Sequence, residues 1–186
     1  MTGPRRIEGY AIVSADGMLA DAAGVMPEAL KLDADQRFFE TGLDGVEAVA
    51  HGAHSHERQP HSHLRRRLIL TRKVPALAAD PSDEKALLWN PAGAAFEDAW
   101  AALAVPDGSL AIIGGTEVFG MFLPRYDVFY LTRAARVQLP GGRPVFPQVP
   151  LRTPEEVLAS HGLRPDPARV LDAGQDLSVT SWWRPT

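Results

Sequence analysis

At 186 residues, with 45% hydrophobic and 23% charged side chains, the chain is sized for one globular domain, residues 1–186, with a sizeable core. A formal charge of −4 argues against a general nucleic-acid binder, whose affinity comes from many Lys and Arg contacts to phosphates. The absence of cysteine excludes disulfides, zinc-thiolate sites, iron–sulfur clusters and a cysteine nucleophile.

The N-terminus, Met1 to Arg6, is short and polar and fits no signal peptide. No apolar run approaches membrane-spanning length, so a cytoplasmic protein is expected. Ile7 to Ser14 is a nearly continuous apolar, β-prone run, as suits a strand covered on both faces. Residues 15–32 carry Gly17, Gly24 and Pro27 and little periodicity, which predicts a long functional loop. Asp33 with Gln36 three residues on has the pattern of a capping box, and the helix it starts should end near Gly42 as the C′ residue. Val46–Ala50, Leu68–Thr71 and Ala86–Trp89 read as strands. After Asn90-Pro91, the spacing of Phe96, Trp100 and Leu103 predicts a helix.

Leu110 to Ile113 reads as a strand that runs into Gly114-Gly115, and a helix holding Val118, Phe119, Phe122 and Leu123 follows until Pro124. Val128–Thr132 and Leu177–Trp183 read as later strands, and Thr153-Pro154-Glu155-Glu156 as a capped helix start. Strands alternating with helices imply an α/β fold with a mixed, largely parallel sheet.

The most specific local signal is Gly114-Gly115-Thr116-Glu117-Val118. Glycines let backbone N–H groups approach a phosphate at a helix N-terminus, although a tight turn alone also demands glycine. The block Ile113-Gly114-Gly115-x-x-Val118-Phe119-x-x-Phe122-Leu123-Pro124, then Tyr130-Leu131-Thr132 and Phe146-Pro147, resembles the second half of the dihydrofolate reductase family. Ser14-Ala15-Asp16-Gly17 resembles the first-strand motif of the wider superfamily, which includes the pyrimidine-reductase domain of the riboflavin-pathway deaminase–reductase. Leu32-x-Ala34-Asp35-x-x-Phe38-Phe39 resembles the helix that carries the substrate-binding acid.

The resemblance implies a three-layer αβα reductase that uses NADPH. It implies that Gly114, Gly115, Thr116, Glu117 and Val118 meet the cofactor pyrophosphate, with a cis peptide at the glycine pair. It places Gly52 and Ser55 at a second cofactor-binding turn and Thr71 and Arg72 near the 2′-phosphate. Asp35 would pair with a heterocyclic substrate and assist protonation, while Phe39, Arg65 and Thr132 would complete the substrate site. On the residues alone, Asp35 is equally an acid favoured by the helix dipole, and Arg72 a solvated arginine.

Three positions depart from the family. Glu28 follows Met26-Pro27 where a tryptophan is usual, Ala53 replaces a basic residue in Gly52-Ala53-His54-Ser55, and Arg143 stands where an acid is common. Dihydrofolate is the leading substrate and a riboflavin-pathway pyrimidine the alternative. A third reading is a catalytically idle relative that binds a nucleotide or metal. The stretch His51, His54, His56, His61, His63 could ligate a metal, but it lacks a carboxylate pattern and reads as a polar loop with no metal assigned. A homodimer is compatible with the riboflavin-type reading.

Overall fold

A computed structural model describes residues 3–55 and 59–186. The strands are β1 (Arg6–Ser14), β2 (Met18–Ala20), β3 (Ala48–Gly52), β4 (Arg66–Leu70), β5 (Leu77–Asp80), β6 (Asp83–Trp89), β7 (Ser109–Gly114), β8 (Val128–Ala134), β9 (Arg143–Pro144), β10 (Arg164–Pro165), β11 (Arg169–Asp172) and β12 (Leu177–Trp183). The helices are α1 (Asp33–Leu43), α2 (Phe96–Leu103), α3 (Thr116–Met121) and α4 (Pro154–Ser160). Ten strands form one sheet in the order β10-β12-β8-β1-β7-β3-β4-β6-β5, with β11 beside β12, and β2 pairs separately with β9. The six strands from β8 to β6 in that order run parallel, while β12 and β5 lie antiparallel beside them. The expected α/β architecture with a mixed, mostly parallel sheet is the one found.

Each face of the sheet is covered. On one side α2, α3 and α4 bury Phe96, Trp100, Phe119 and Leu158 against Leu68, Ile112 and Phe129. The i, i+3, i+4, i+7 spacing of Phe96, Ala99, Trp100 and Leu103 puts all four buried residues of α2 on that face. On the other side α1 packs Leu43, Phe38 and Phe39 over Tyr10, Val49 and Ala111. Burial on both faces explains why β1 reads as a continuous apolar run.

Several local expectations are corrected. Leu32, not Asp33, is the N-cap of α1, and no side-chain cap forms there, so Asp33 serves only as an acid in the first turn. Gly42 lies inside α1, which ends at Leu43 with Asp44 as C-cap. Its lack of a side chain has another use: a Cβ there would sit 2.5 Å from the Tyr10 hydroxyl. The capping box of α4 does form, with Glu156 N–H donating to Thr153 Oγ1 at 3.1 Å and Thr153 N–H to Glu156 Oε2 at 2.8 Å. The 15–32 loop contains β2 and a 3-10 turn at Glu28–Leu30. These short pieces, and β5, β9, β10 and β11, carry too few residues for a periodic signal.

Candidate active site

The carboxyl ends of β1, β3 and β7 open into a cavity of about 690 Å³, in the size range of small-ligand sites. Ligands in open α/β sheets bind outside the carboxyl ends of the strands, where the strand order reverses. Here β7 is inserted between β1 and β3. The β3–β7 pairing slips between Ala50 and His51, a bulge that breaks the regular ladder just where β7 enters its glycines.

One end of the cavity is built from backbone. Gly52, Ala53, His54 and Ser55 follow β3, and Gly114, Gly115, Thr116, Glu117 and Val118 follow β7. A Cβ on Gly114 would stand 3.1 Å from Ser55 Oγ, so glycine at that position eases the close approach of the two turns. Gly115 has φ +87°, a conformation that side chains disfavour. The expected cis peptide at this pair is not found: among the described residues the cis bond is Val149-Pro150, and the left-handed Gly115 makes the turn instead. The Thr116 hydroxyl donates to the Pro144 carbonyl at 2.5 Å and so ties α3 to β9.

The other end is built from side chains. Asp35, Phe38 and Phe39 share one face of α1 at i, i+3, i+4 spacing. The Thr132 hydroxyl, from β8, is buried and donates a hydrogen bond to the Asp35 carboxylate. Burial among apolar neighbours pushes the Asp35 carboxyl up to about 6, and the Thr132 bond only partly offsets this. Register places Tyr10 beside Tyr130 and Ile12 beside Thr132, and the two tyrosine rings stack at 4.8 Å. The Tyr10 hydroxyl donates to the buried Glu8 carboxylate at 2.6 Å. Burial, and then that bond, hold the Tyr10 phenol well above its ordinary range.

Of the residues anticipated from sequence, the cavity brings together Asp35, Phe39, Thr132, Gly52, Ser55 and Gly114 to Val118. Thr71 and Arg72 lie just beyond β4, whose end is tied to this region by Ala53 N–H donating to Leu70 O, but they do not line it. Arg65 lies apart from the cavity. It is buried in a second cleft of about 650 Å³, before β4 and beside Leu43, Asp44 and His61. There its guanidinium donates to Pro60 O at 3.1 Å and lies 3.7 Å from Asp44. The histidines are dispersed: His51 is buried on β3, His54 lines the cavity, His61 lies 3.0 Å from Asp44, and His56 falls outside the described residues. Tyr10, Tyr130 and Arg143 line the cavity without having been singled out as ligands, because Tyr10 and Tyr130 sit in strand runs whose faces only the register distinguishes.

No family model matches the sequence, and no curated protein does. Solved structures do. A candidate riboflavin biosynthesis protein from Shewanella sp. PV-4 matches at 18% identity with TM-score 0.66, over 97% of this chain and 99% of its own. Dihydrofolate reductase from Enterococcus faecalis, complexed with NADP(H) and RAB-propyl, matches at 17% identity with TM-score 0.65, over the whole of both chains. The chain has the dihydrofolate reductase fold. The same fold relates it to a diaminohydroxyphosphoribosylaminopyrimidine deaminase/5-amino-6-(5-phosphoribosylamino)uracil reductase from Thermotoga maritima, at 15% identity and TM-score 0.70. That match covers 98% of this chain and 57% of the other. At these identities the likeness is one of fold. Among the described residues, no helix of this dihydrofolate reductase-like chain is long and apolar enough to cross a membrane.

Proposed function

We propose that the protein is an NADPH-dependent reductase of a small heterocycle, with a dihydropterin such as dihydrofolate as the leading substrate. The observation that carries this reading is the Asp35–Thr132 pair at the aromatic end of a cavity whose other end is lined by glycine backbone. The cavity's two ends fit a dinucleotide and a second ligand. Gly52, Ser55, Gly114 and Gly115 offer close backbone approach and a hydroxyl to a pyrophosphate, and Thr116, Glu117 and Val118 form the first turn of α3 beside them. Thr71 and Arg72 are the proposed contacts for a 2′-phosphate beyond the cavity's edge.

A bound nicotinamide would supply hydride to an electrophilic carbon of the substrate's C=N bond. Asp35 would accept hydrogen bonds from an amidine-like edge, with Phe39 beside the ring. With its carboxyl poised near 6, Asp35 holds a proton in a useful fraction of molecules near neutrality and can favour protonation of the imine nitrogen. Thr132 fixes the carboxylate's orientation.

A second reading is a pyrimidine reductase of the riboflavin type. The location of Arg65 favours it, since that arginine faces another cleft and brings no guanidinium to the Asp35 end for the glutamate carboxylate of a folate. The two readings separate in one assay: loss of NADPH absorbance with dihydrofolate or with the ribosylamino-pyrimidine, repeated with Asp35→Asn. Turnover of dihydrofolate that Asp35→Asn abolishes supports the first reading. Turnover of the pyrimidine alone supports the second, and turnover of neither counts against both.

A further inference from the structure

The glycine-lined end of the cavity brings almost no positive charge of its own. Along Gly52–Ser55 and Gly114–Val118 the one carboxylate is Glu117, and the basic groups reduce to His54. Elsewhere in the lining the cations are Lys31 and Arg143. Lys31 is paired with Glu28 at 2.5 Å. Arg143 is exposed and has no carboxylate partner among the described residues.

The backbone fixes where Arg143 stands. It pairs with Ala20 in the β2–β9 ribbon. The neighbouring Gly142 packs so tightly that a Cβ would fall 2.4 Å from the Ala20 carbonyl. On its other side Pro144 receives the Thr116 hydroxyl, which places Arg143 one residue from the tie to α3. Its side chain reaches Gly24: the Nε lies 3.9 Å from where a Cβ on that glycine would sit. A guanidinium is thereby placed in the cavity lining beside Gly24, on a strand whose next residue is tied to α3.

We propose that Arg143 is the cationic partner of the dinucleotide's pyrophosphate, an assignment that rests on the dinucleotide reading above. A pyrophosphate lodged beside Glu117 with no cation would have only neutral backbone groups and the Ser55 hydroxyl to offset its lost hydration and the carboxylate's repulsion. A guanidinium answers this with a planar fork of donors that matches two phosphate oxygens. The charge thus comes from β9 and not from the turn after β3, where Ala53 has none to offer. A phosphate on the second ligand is the competing source of the anion, and the tie to α3 favours the dinucleotide.

The test is calorimetric titration of NADPH into the full chain at low and high salt, for wild type, Arg143→Ala, Arg143→Lys and the double variant Arg143→Ala/Ala53→Arg. Arg143→Ala is expected to weaken NADPH binding about tenfold and to flatten its salt dependence. Ala53→Arg in that background is expected to restore much of the loss, by returning a guanidinium to the same lining. Adenosine 2′-monophosphate, which has no pyrophosphate, should bind all four alike. If Arg143→Ala melts below wild type, Arg143→Lys carries the comparison: it keeps the charge but not the fork, so its NADPH affinity should fall by less than tenfold while its salt dependence stays that of wild type. Unchanged NADPH affinity in Arg143→Ala overturns this assignment alone. Loss of binding confined to a phosphorylated pyrimidine such as uridine monophosphate overturns it too, by giving the anion to the second ligand. Failure of wild type to bind NADPH removes the dinucleotide reading together with it.

Discussion

The two ends of the cavity are made differently. The end at Gly52–Ser55 and Gly114–Val118 is main chain brought close by the absence of side chains, with a bulge that loosens the ladder beside it. The end at Asp35 is side chains brought together from α1, β1 and β8, which the chain order keeps far apart. A backbone site recognises a shape common to many ligands and is insensitive to most neighbouring substitutions. A side-chain site selects one ligand and tunes its chemistry, and a single substitution can undo it.

The comparison can be broken at either end. Asp35→Asn should cause the largest change, lowering kcat/KM for the reduced heterocycle by about a hundredfold or more while leaving NADPH affinity as it was. Equal losses of turnover and NADPH binding would mean that the ends are not separate. Gly114→Val should do the reverse, weakening NADPH binding by roughly tenfold or more, since its Cβ would press on Ser55. Direct binding measurements on both variants check this pair of outcomes.

Smaller effects sharpen the side-chain end. Gly42→Ala should destabilise by about 1–3 kcal/mol, because the new methyl meets the Tyr10 hydroxyl and its bond to Glu8. A denaturant midpoint measures it. Asp35→Asn should stabilise the fold at neutral pH. The folded protein keeps the Asp35 proton up to about 6, whereas the unfolded chain releases it near 3.8. Between those values the folded state binds more protons, so stability falls as pH rises and the penalty is complete above about pH 6. The variant should therefore gain about 1–2 kcal/mol near pH 7.5 and nothing near pH 3, read from melts at the two pH values. Thr132→Val, which removes the one bond that favours the charged carboxylate, should shift to higher pH the alkaline-side fall of the pH–rate profile, where Asp35 loses its proton.

What could be read from the chain divides along the same line. The glycine pair announces a tight strand-to-helix turn by local spacing alone, and β7, α3 and the α4 cap were legible because each depends on neighbours in sequence. Asp35 could be picked out only through resemblance, since nothing local says that Thr132, on β8, will donate to it. Arg65 shows the limit of that method: its position matched, but Pro60, Leu43 and Asp44 engage its guanidinium in a different cleft. Gly42 looked like a helix stop and is instead a space for Tyr10, a fact that lies in the packing of α1 on β1.

The central claim is that the glycine-lined end takes NADPH. A thermal-melt titration of the folded protein tests it most directly, because a ligand that binds only the native state raises the melting temperature with its concentration. The account predicts a rise that grows with NADPH and is smaller with NADH. Melts that do not move with either dinucleotide would contradict it.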